Sequence, residues 1–170
     1  MKHKLQNTVI RDYREADRES CRGLWRELVE RHRELYSDPT IGGDCPEDYF
    51  DRHLAKDHSI KVWVADIDSV VVGFASLMVN RDEAKLDPIV VSKPFREKGV
   101  GKQLVERVIN EAKQMSVKYL NVEPVVRNVE AIRFYHDLGF INIGQVQLFL
   151  DFSNKKWNQN LYLAERRFNL

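Results

Sequence analysis

The chain has 170 residues, 43% of them apolar and 31% charged, with a formal net charge of +1. That is the size of one ordinary domain with a packed core under a charged surface, and so balanced a charge gives no electrostatic case for nucleic acid as a partner. No apolar run approaches the about 18 residues of a membrane helix, and the start, Met1-Lys2-His3-Lys4-Leu5-Gln6-Asn7, lacks the apolar stretch of a signal peptide. A cytoplasmic protein with no membrane partner is therefore expected.

Thr8 to Tyr13 reads as a short first strand. A helix should start near Asp17, because Cys21, Leu24, Trp25, Leu28, Val29, His32, Leu35 and Tyr36 recur at helical spacing, and Ser37-Asp38-Pro39 should stop it. Cys21 lies on that stripe and reads as a small core residue. Cys21 and Cys45 together make neither a disulfide framework nor a zinc site, and they fit a reducing compartment. After a flexible break from Ile41 to Cys45, Pro46 opens a second short helix ending near Ala55.

Ile60 to Ile67 and Val70 to Val79 are apolar runs around the polar turn Asp66-Ile67-Asp68-Ser69, which predicts a hairpin. Leu86 to Val91 reads as a strand, Pro94 to Gly101 as a loop and Gly101 to Met115 as a helix. Tyr119 to Val126 reads as a strand, Val129 to Leu138 as a helix and Ile141 to Phe152 as a last strand. The tail from Ser153 to Leu170 offers Leu161, Leu163 and Phe168 for one more strand, a packed arm or a partner contact. The unit from Leu86 to Val126 needs a crossover and should be parallel, after an antiparallel meander. The expectation is one α/β domain over 1–170, with a mixed sheet of about six or seven strands and helices on both faces.

The strand Ile89-Val90-Val91 runs through Ser92-Lys93-Pro94-Phe95 into Arg96-Glu97-Lys98-Gly99-Val100-Gly101-Lys102 and then a helix. Glycine permits a tight turn and a close ligand approach, and the first turn of a helix offers unbonded N–H groups and partial positive charge. Such a place suits phosphate or pyrophosphate, with Arg96, Lys98 and Lys102 adding charge. The spacing fails both the Gly-x-x-x-x-Gly-Lys-Ser/Thr phosphate loop and the Gly-x-Gly-x-x-Gly dinucleotide fingerprint, since Gln103 and Leu104 stand where these need Ser/Thr and Gly. By spacing alone, a structural turn and a phosphate site remain equal readings.

Arg96-x-x-Gly99-x-Gly101 resembles the acyl-CoA pyrophosphate motif of the GNAT family, the Gcn5-related N-acetyltransferases. The later block Asn128-Val129-Glu130-Ala131-Ile132-Arg133-Phe134-Tyr135-His136-Asp137-Leu138-Gly139-Phe140 resembles a second motif of that family, in the correct order. The resemblance runs roughly from Ile60 to Phe152. It implies acetyl-CoA as cosubstrate and transfer of its acetyl group to a primary amine, a small molecule being favoured. A protein N-terminus or lysine is the alternative acceptor, and a CoA-binding module without chemistry the alternative class.

The resemblance also implies that the fourth strand splays from the fifth and that pantetheine bonds main-chain groups of Ile89 and Val91. Lys98, Gly99, Val100, Gly101 and Lys102 would hold the pyrophosphate, and Asn128 would cap the next helix and meet the pantetheine arm. Tyr135 would protonate the leaving thiolate. The amine must be neutral before it attacks, and the candidates to take its proton are Asp87, expected on the same side as Ile89 and Val91 by strand alternation, and Glu123; a water chain could serve instead. The first two helices, over 17–57, would roof the acceptor. There Tyr36, Asp38, Asp44, Glu47, Asp48, Tyr49 and Asp51 suggest a cationic amine, which Arg31, Arg33, Arg52, His53 and Lys56 oppose. His136 should point to solvent, and His32, His53 and His58 have no neighbours at ligand spacing, so no metal is expected. The resemblance allows a homodimer, with Trp157 to Phe168 as the contact.

Overall fold

The structure is a computed structural model and describes residues 8–56, 60–152, 160–163 and 165–169. Strand β1 (Thr8–Asp12) lies at one edge of a sheet and is followed by a short 3-10 turn and the long helix α1 (Arg18–Tyr36). Helix α2 (Asp48–Ala55) comes next, then the strands β2 (Lys61–Ile67), β3 (Val70–Asn80) and β4 (Glu83–Val91). Helix α3 (Val100–Gln114) crosses to β5 (Tyr119–Asn121). The sheet order is β1-β2-β3-β4-β5, antiparallel throughout except for the parallel pair β4–β5. The antiparallel meander and the parallel crossover are as expected.

Both hairpins turn on two residues. Asp68 and Ser69 have φ of 51° and 67°, the positive pair that matches the twist of the flanking strands. The turn at Arg81 and Asp82 begins with Arg81 at φ 57°. It has neither Gly nor Pro to announce it, which is why the sequence places the start of β4 at Leu86 rather than Glu83.

Helices α1 and α2 cover one face of the sheet. Cys21, Leu24 and Phe50 pack there with Val62, Val64, Phe74 and Val90. Cys21 is fully buried, and burial pushes its thiol up to about 12. Phe74 is the hub: its ring lies 5.3 Å from Phe50 and 6.1 Å from Trp25. The other face belongs to α3, which buries Val100, Leu104, Val105, Val108 and Ala112. A latch of charges ties the start of α1 to the sheet. Arg11 on β1 donates to both oxygens of Asp17, at 2.7 and 2.8 Å, and to Asp66 on β2 at 2.9 Å.

The chain divides into two compact units, Met1–Glu123 and Pro124–Leu170. The second contains helix α4 (Val129–Asp137) and a separate antiparallel pair, β6 (Asn160–Leu163) and β7 (Arg166–Asn169). The central sheet therefore has five strands rather than six or seven. Ile141 to Phe152 has no regular secondary structure, and Ile143, Leu150 and Phe152 are 80%, 81% and 88% exposed. Its alternating apolar pattern says which residues would share a face, but not which neighbour would take the backbone hydrogen bonds that make a strand. The strand β5 is also shorter than expected, ending at Asn121 rather than Val126. The first seven residues, His58 and Trp157 lie outside the described residues. Among those described, no helix is long and apolar enough to cross a membrane.

Phe74→Ala should cost about 3–5 kcal/mol of unfolding free energy, read from urea denaturation, because it removes the ring that Trp25 and Phe50 share. The Arg11 hydrogen bonds hold the Asp17 carboxyl below its ordinary value, against the opposing effect of burial. The stabilisation this gives is complete above the ordinary carboxylate value of about 4 and is lost as pH falls toward the depressed folded value. Asp17→Asn should therefore lose about 2 kcal/mol at neutral pH and show a flatter stability profile below about pH 4 than the wild type.

Candidate functional site

The pairing of β4 with β5 runs only from Glu83–Tyr119 to Lys85–Asn121. Beyond Lys85 the two strands part, so the expected splay is present. On its other side β4 continues along β3, with Ala75 opposite Ile89 and Leu77 opposite Leu86. Two residues, Asp87 and Pro88, thus stand opposite Ser76 alone, and the extra residue makes a bulge in β4. Proline has no N–H to give a ladder, so the interruption falls where the sequence cannot pair.

Past the bulge the ladder resumes. Ser92 N–H donates to the Val72 carbonyl at 2.8 Å. With the period of two, the main-chain groups of Val90 face β3, while those of Ile89 and Val91 turn to the side that β5 has left. The Val91 carbonyl accepts from Arg96 Nε at 2.8 Å. Arg96 therefore spans from the loop back to the open edge of the strand.

The loop itself is built for a close approach. Glu97 and Gly99 have φ of 60° and 83°, and Gly99 is the residue from which α3 starts. A Cβ added at Gly99 would meet nothing within 4 Å. No side chain caps this helix and no acidic residue lies in its first turn, so the free N–H groups and positive end face outward over Val100, Gly101 and Lys102. Lys98 Nζ lies 5.4 Å from the centre of the Phe95 ring, and Lys102 is 3.8 Å from Glu106. Sequence reasoning missed the anchor of this loop: Glu27 of α1 accepts from Ser92 Oγ at 2.8 Å and from Lys93 N–H at 3.1 Å.

The two carboxylates expected to take a proton share one cation. Lys85 Nζ is 2.7 Å from Glu123 and 3.3 Å from Asp87. The pair raises the lysine, although burial works against it. Asp87 does not share a side with Ile89 and Val91 as strand alternation suggested. A Cβ on Gly73 would lie 3.3 Å from both Val91 and Leu104, so that side of β4 faces α3. Asp87, in the bulge, instead stands opposite Ser76, which by alternation shares the face of Phe74, the face that α1 and α2 cover. A bulge is a change of parity, and nothing in a period-two pattern signals it except the proline.

Three acidic residues of the α1–α2 region are occupied. Arg18 holds Asp51 at 2.8 Å, Arg22 holds Asp48 at 2.7 Å and also binds Asp51, and Arg26 binds Glu47. These three carboxylates therefore no longer speak for a cationic acceptor. His53, close by, is buried and stands against Trp25 at 5.4 Å. Among the described residues no three His, Cys, Asp or Glu side chains gather as a metal site would require.

In the second unit, the block from Asn128 to Phe140 is a helix with both ends closed. Asn128 Oδ1 accepts from Ala131 N–H at 3.2 Å. At the other end Phe140 N–H donates to the Tyr135 carbonyl at 3.1 Å and Gly139 N–H to that of His136 at 3.0 Å, with Gly139 at φ 98°. This is the Schellman closure, and the apolar contact that goes with it is the Tyr135–Phe140 ring pair at 5.6 Å. Tyr135 is half-buried and also lies 5.4 Å from Phe134, whereas His136 points to solvent as expected.

Comparison with known proteins agrees with this construction. The pattern described as acetyltransferase (GNAT) family matches residues 22–140. The [ribosomal protein bS18]-alanine N-acetyltransferase of Salmonella typhimurium is 30% identical over 116 residues, covering 68% of this chain and 71% of that protein. The Escherichia coli enzyme of the same name is 36% identical over 70 residues, and the match spans just under half of its length, 47%. Among solved structures, aminoglycoside N-acetyltransferase AAC(6')-Iy in complex with CoA superposes with a TM-score of 0.64 at 19% identity, covering 89% of this chain and 99% of that one. The mixed sheet, the parting of β4 from β5 and the family pattern over more than half of the chain lead to one conclusion: this protein belongs to the acetyltransferase (GNAT) family of N-acetyltransferases.

Proposed function

We propose that residues 1–170 act as one N-acetyltransferase domain that moves an acetyl group from acetyl-CoA to a primary amine. The observation that carries this is the join between the open edge of β4 and the start of α3, where Gly99 leaves clear space and Arg96 bonds the Val91 carbonyl. The main-chain groups of Ile89 and Val91 would bond the pantetheine amides as a strand would. The N–H groups of Lys98, Gly99, Val100, Gly101 and Lys102, with the charge of Arg96, would hold the pyrophosphate. Acetyl-CoA supplies the activated acyl group.

Tyr135 is assigned as the acid that protonates the departing sulfur, and Asn128 as cap and pantetheine contact. Asp87 and Glu123 remain the carboxylates of the acceptor side. The free, buried thiol of Cys21 fits work in the reducing cytoplasm.

The acceptor is taken to be the α-amine of a protein or peptide. This reading is favoured over the small-molecule amine because the Salmonella relative carries that activity in its name. Fold neighbours that act on aminoglycosides keep the small-molecule reading as the second choice.

Isothermal titration should show micromolar binding of acetyl-CoA, and Gly99→Val should weaken it at least about tenfold, because a β-branched side chain at φ 83° strains the turn from which α3 starts; circular dichroism of the variant should show the helices and sheet retained. No binding by the folded wild type would remove the cofactor reading. Mass spectrometry should detect acetylation of peptides that begin with alanine, and turnover of sugar amines alone would restore the small-molecule reading. Tyr135→Phe should slow that turnover by about 100-fold and leave acetyl-CoA affinity intact; an unchanged rate would strip Tyr135 of the acid role.

A further inference from the structure

Ordering a loop costs conformational entropy, and a loop that leaves its N–H groups free for a ligand gives up bonds that would offset that cost. The loop between β4 and α3 turns at Glu97 and Gly99, with φ of 60° and 83°. Just before it, Ser92 N–H donates to the Val72 carbonyl at 2.8 Å, which fastens the end of β4 to β3. Arg96 Nε returns to the Val91 carbonyl at 2.8 Å. A further hold comes from another element: Glu27 of α1, 65 residues earlier than Ser92 in the chain.

The short turn Lys93–Phe95 shows what that carboxylate does. Ser92 stands at the N-cap of this 3-10 turn, but its side chain does not cap it. A serine in that place ordinarily accepts from an N–H two or three residues on. Here the hydroxyl donates instead, to Glu27 Oε1 at 2.8 Å. The N–H of Lys93, a first-turn group that has no partner inside the turn, donates to Glu27 Oε2 at 3.1 Å. Each carboxylate oxygen takes one donor, and both bonds are charge-assisted. Phe95 N–H then closes the turn on the Ser92 carbonyl at 2.8 Å. Glu27 itself is firmly placed, because it lies on α1 between the buried Leu24 and Val29 and next in sequence to Leu28, which packs against the core.

A carboxylate is an unexpected neighbour for a pyrophosphate site, since like charges repel. Its charge opposes the ligand, whereas its hold on the loop favours the ligand, so the two effects have opposite signs. We propose that Glu27 is a positioning residue for the cofactor: by holding Ser92 and Lys93 it fixes the loop from which α3 starts and so raises the affinity for the pyrophosphate of acetyl-CoA. This rests on the N-acetyltransferase reading above. Glu27 acts through the loop, so that acetyl-CoA meets N–H groups already in place and the ordering cost falls on folding rather than on binding.

The experiment uses the full chain and acetyl-CoA. Isothermal titration of Glu27→Ala should show the affinity weakened at least about tenfold, with an unchanged circular dichroism spectrum. Glu27→Gln keeps an acceptor oxygen and drops the charge, and it should bind within about threefold of the wild type. Ser92→Ala removes one of the two donors and should lose about threefold. Added to Glu27→Ala it should lose nothing more, because both changes break the same bond. Hydrogen exchange of the ligand-free protein reads the loop without any cofactor. The Phe95 and Gln103 amides are bonded to the Ser92 and Gly99 carbonyls. They should exchange at least about tenfold faster in Glu27→Ala, while the Val105 and Val108 amides inside α3 keep their wild-type rates.

A folded Glu27→Ala that binds acetyl-CoA as tightly as the wild type, or more tightly, overturns the proposal, because repulsion then outweighs the hold. Phe95 and Gln103 amides that ignore the variant overturn it as well. Should Glu27→Ala fail to fold, Ser92→Ala decides: weaker binding supports the hold on the loop, and wild-type affinity overturns it. A wild type that binds no acetyl-CoA brings down the cofactor reading itself and this inference with it. A wild type that binds, beside a Glu27→Ala that binds equally well, brings down the inference alone.

Discussion

Between Ile89 and Leu86, β4 uses one residue more than β3, so that Asp87 and Pro88 together face Ser76. This single extra residue coincides with the end of the β4–β5 pairing at Lys85. An unbroken β4 would keep both neighbours along its length and bury its main-chain groups in a continuous ladder. With the bulge, Ile89 and Val91 turn N–H and C=O groups toward a vacated edge, while Asp87 moves to the Ser76 side of the sheet, the face of α1 and α2. The same irregularity thus leaves a strand-like edge open and sets a carboxylate on that face.

The elements on the two faces fix the ends of that edge. On one face α3 begins immediately after the strand, and its first turn is left without a side-chain cap or an acidic residue. On the other, Glu27 of α1 holds Ser92 and Lys93, the residues between strand and loop. The loop is therefore attached to a long, well-packed helix, and Arg96 closes back on the strand it has just left. Preorganisation of this kind lowers the ordering cost of binding.

Much of this was legible in the sequence, and the exceptions share a cause. Helical stripes placed α1 and α3 to within a few residues, and apolar runs placed the hairpin β2–β3, because burial of a face imposes a period that survives in the residue order. Glycines at 99 and 101 pointed to the loop for the same local reason. The errors lie where one residue depends on a distant neighbour. The bulge reversed the expected side of Asp87, and the segment from Ile141 to Phe152 has the pattern of a strand without its ladder. Lys85, which engages both candidate carboxylates, carried no signal at all, since a lysine in a strand reads as an exposed residue until its neighbours are known. The Asn128–Phe140 block shows the reverse: a family-like motif whose ends are explained by helix closure, with Asn128 and Gly139 capping and Phe140 packing against Tyr135.

Charge placement around α1 and α2 is a matter of matched pairs. A site for polycations would leave carboxylates unneutralised where the ligand arrives. Here Asp48, Asp51 and Glu47 are each matched by an arginine of α1, and Asp87 and Glu123 share Lys85. Behind them lies core: Phe50 and Phe74 are fully buried, and the buried imidazole of His53 packs against Trp25. A face whose carboxylates are already matched gains little from a further positive charge and disfavours burying one that finds no partner.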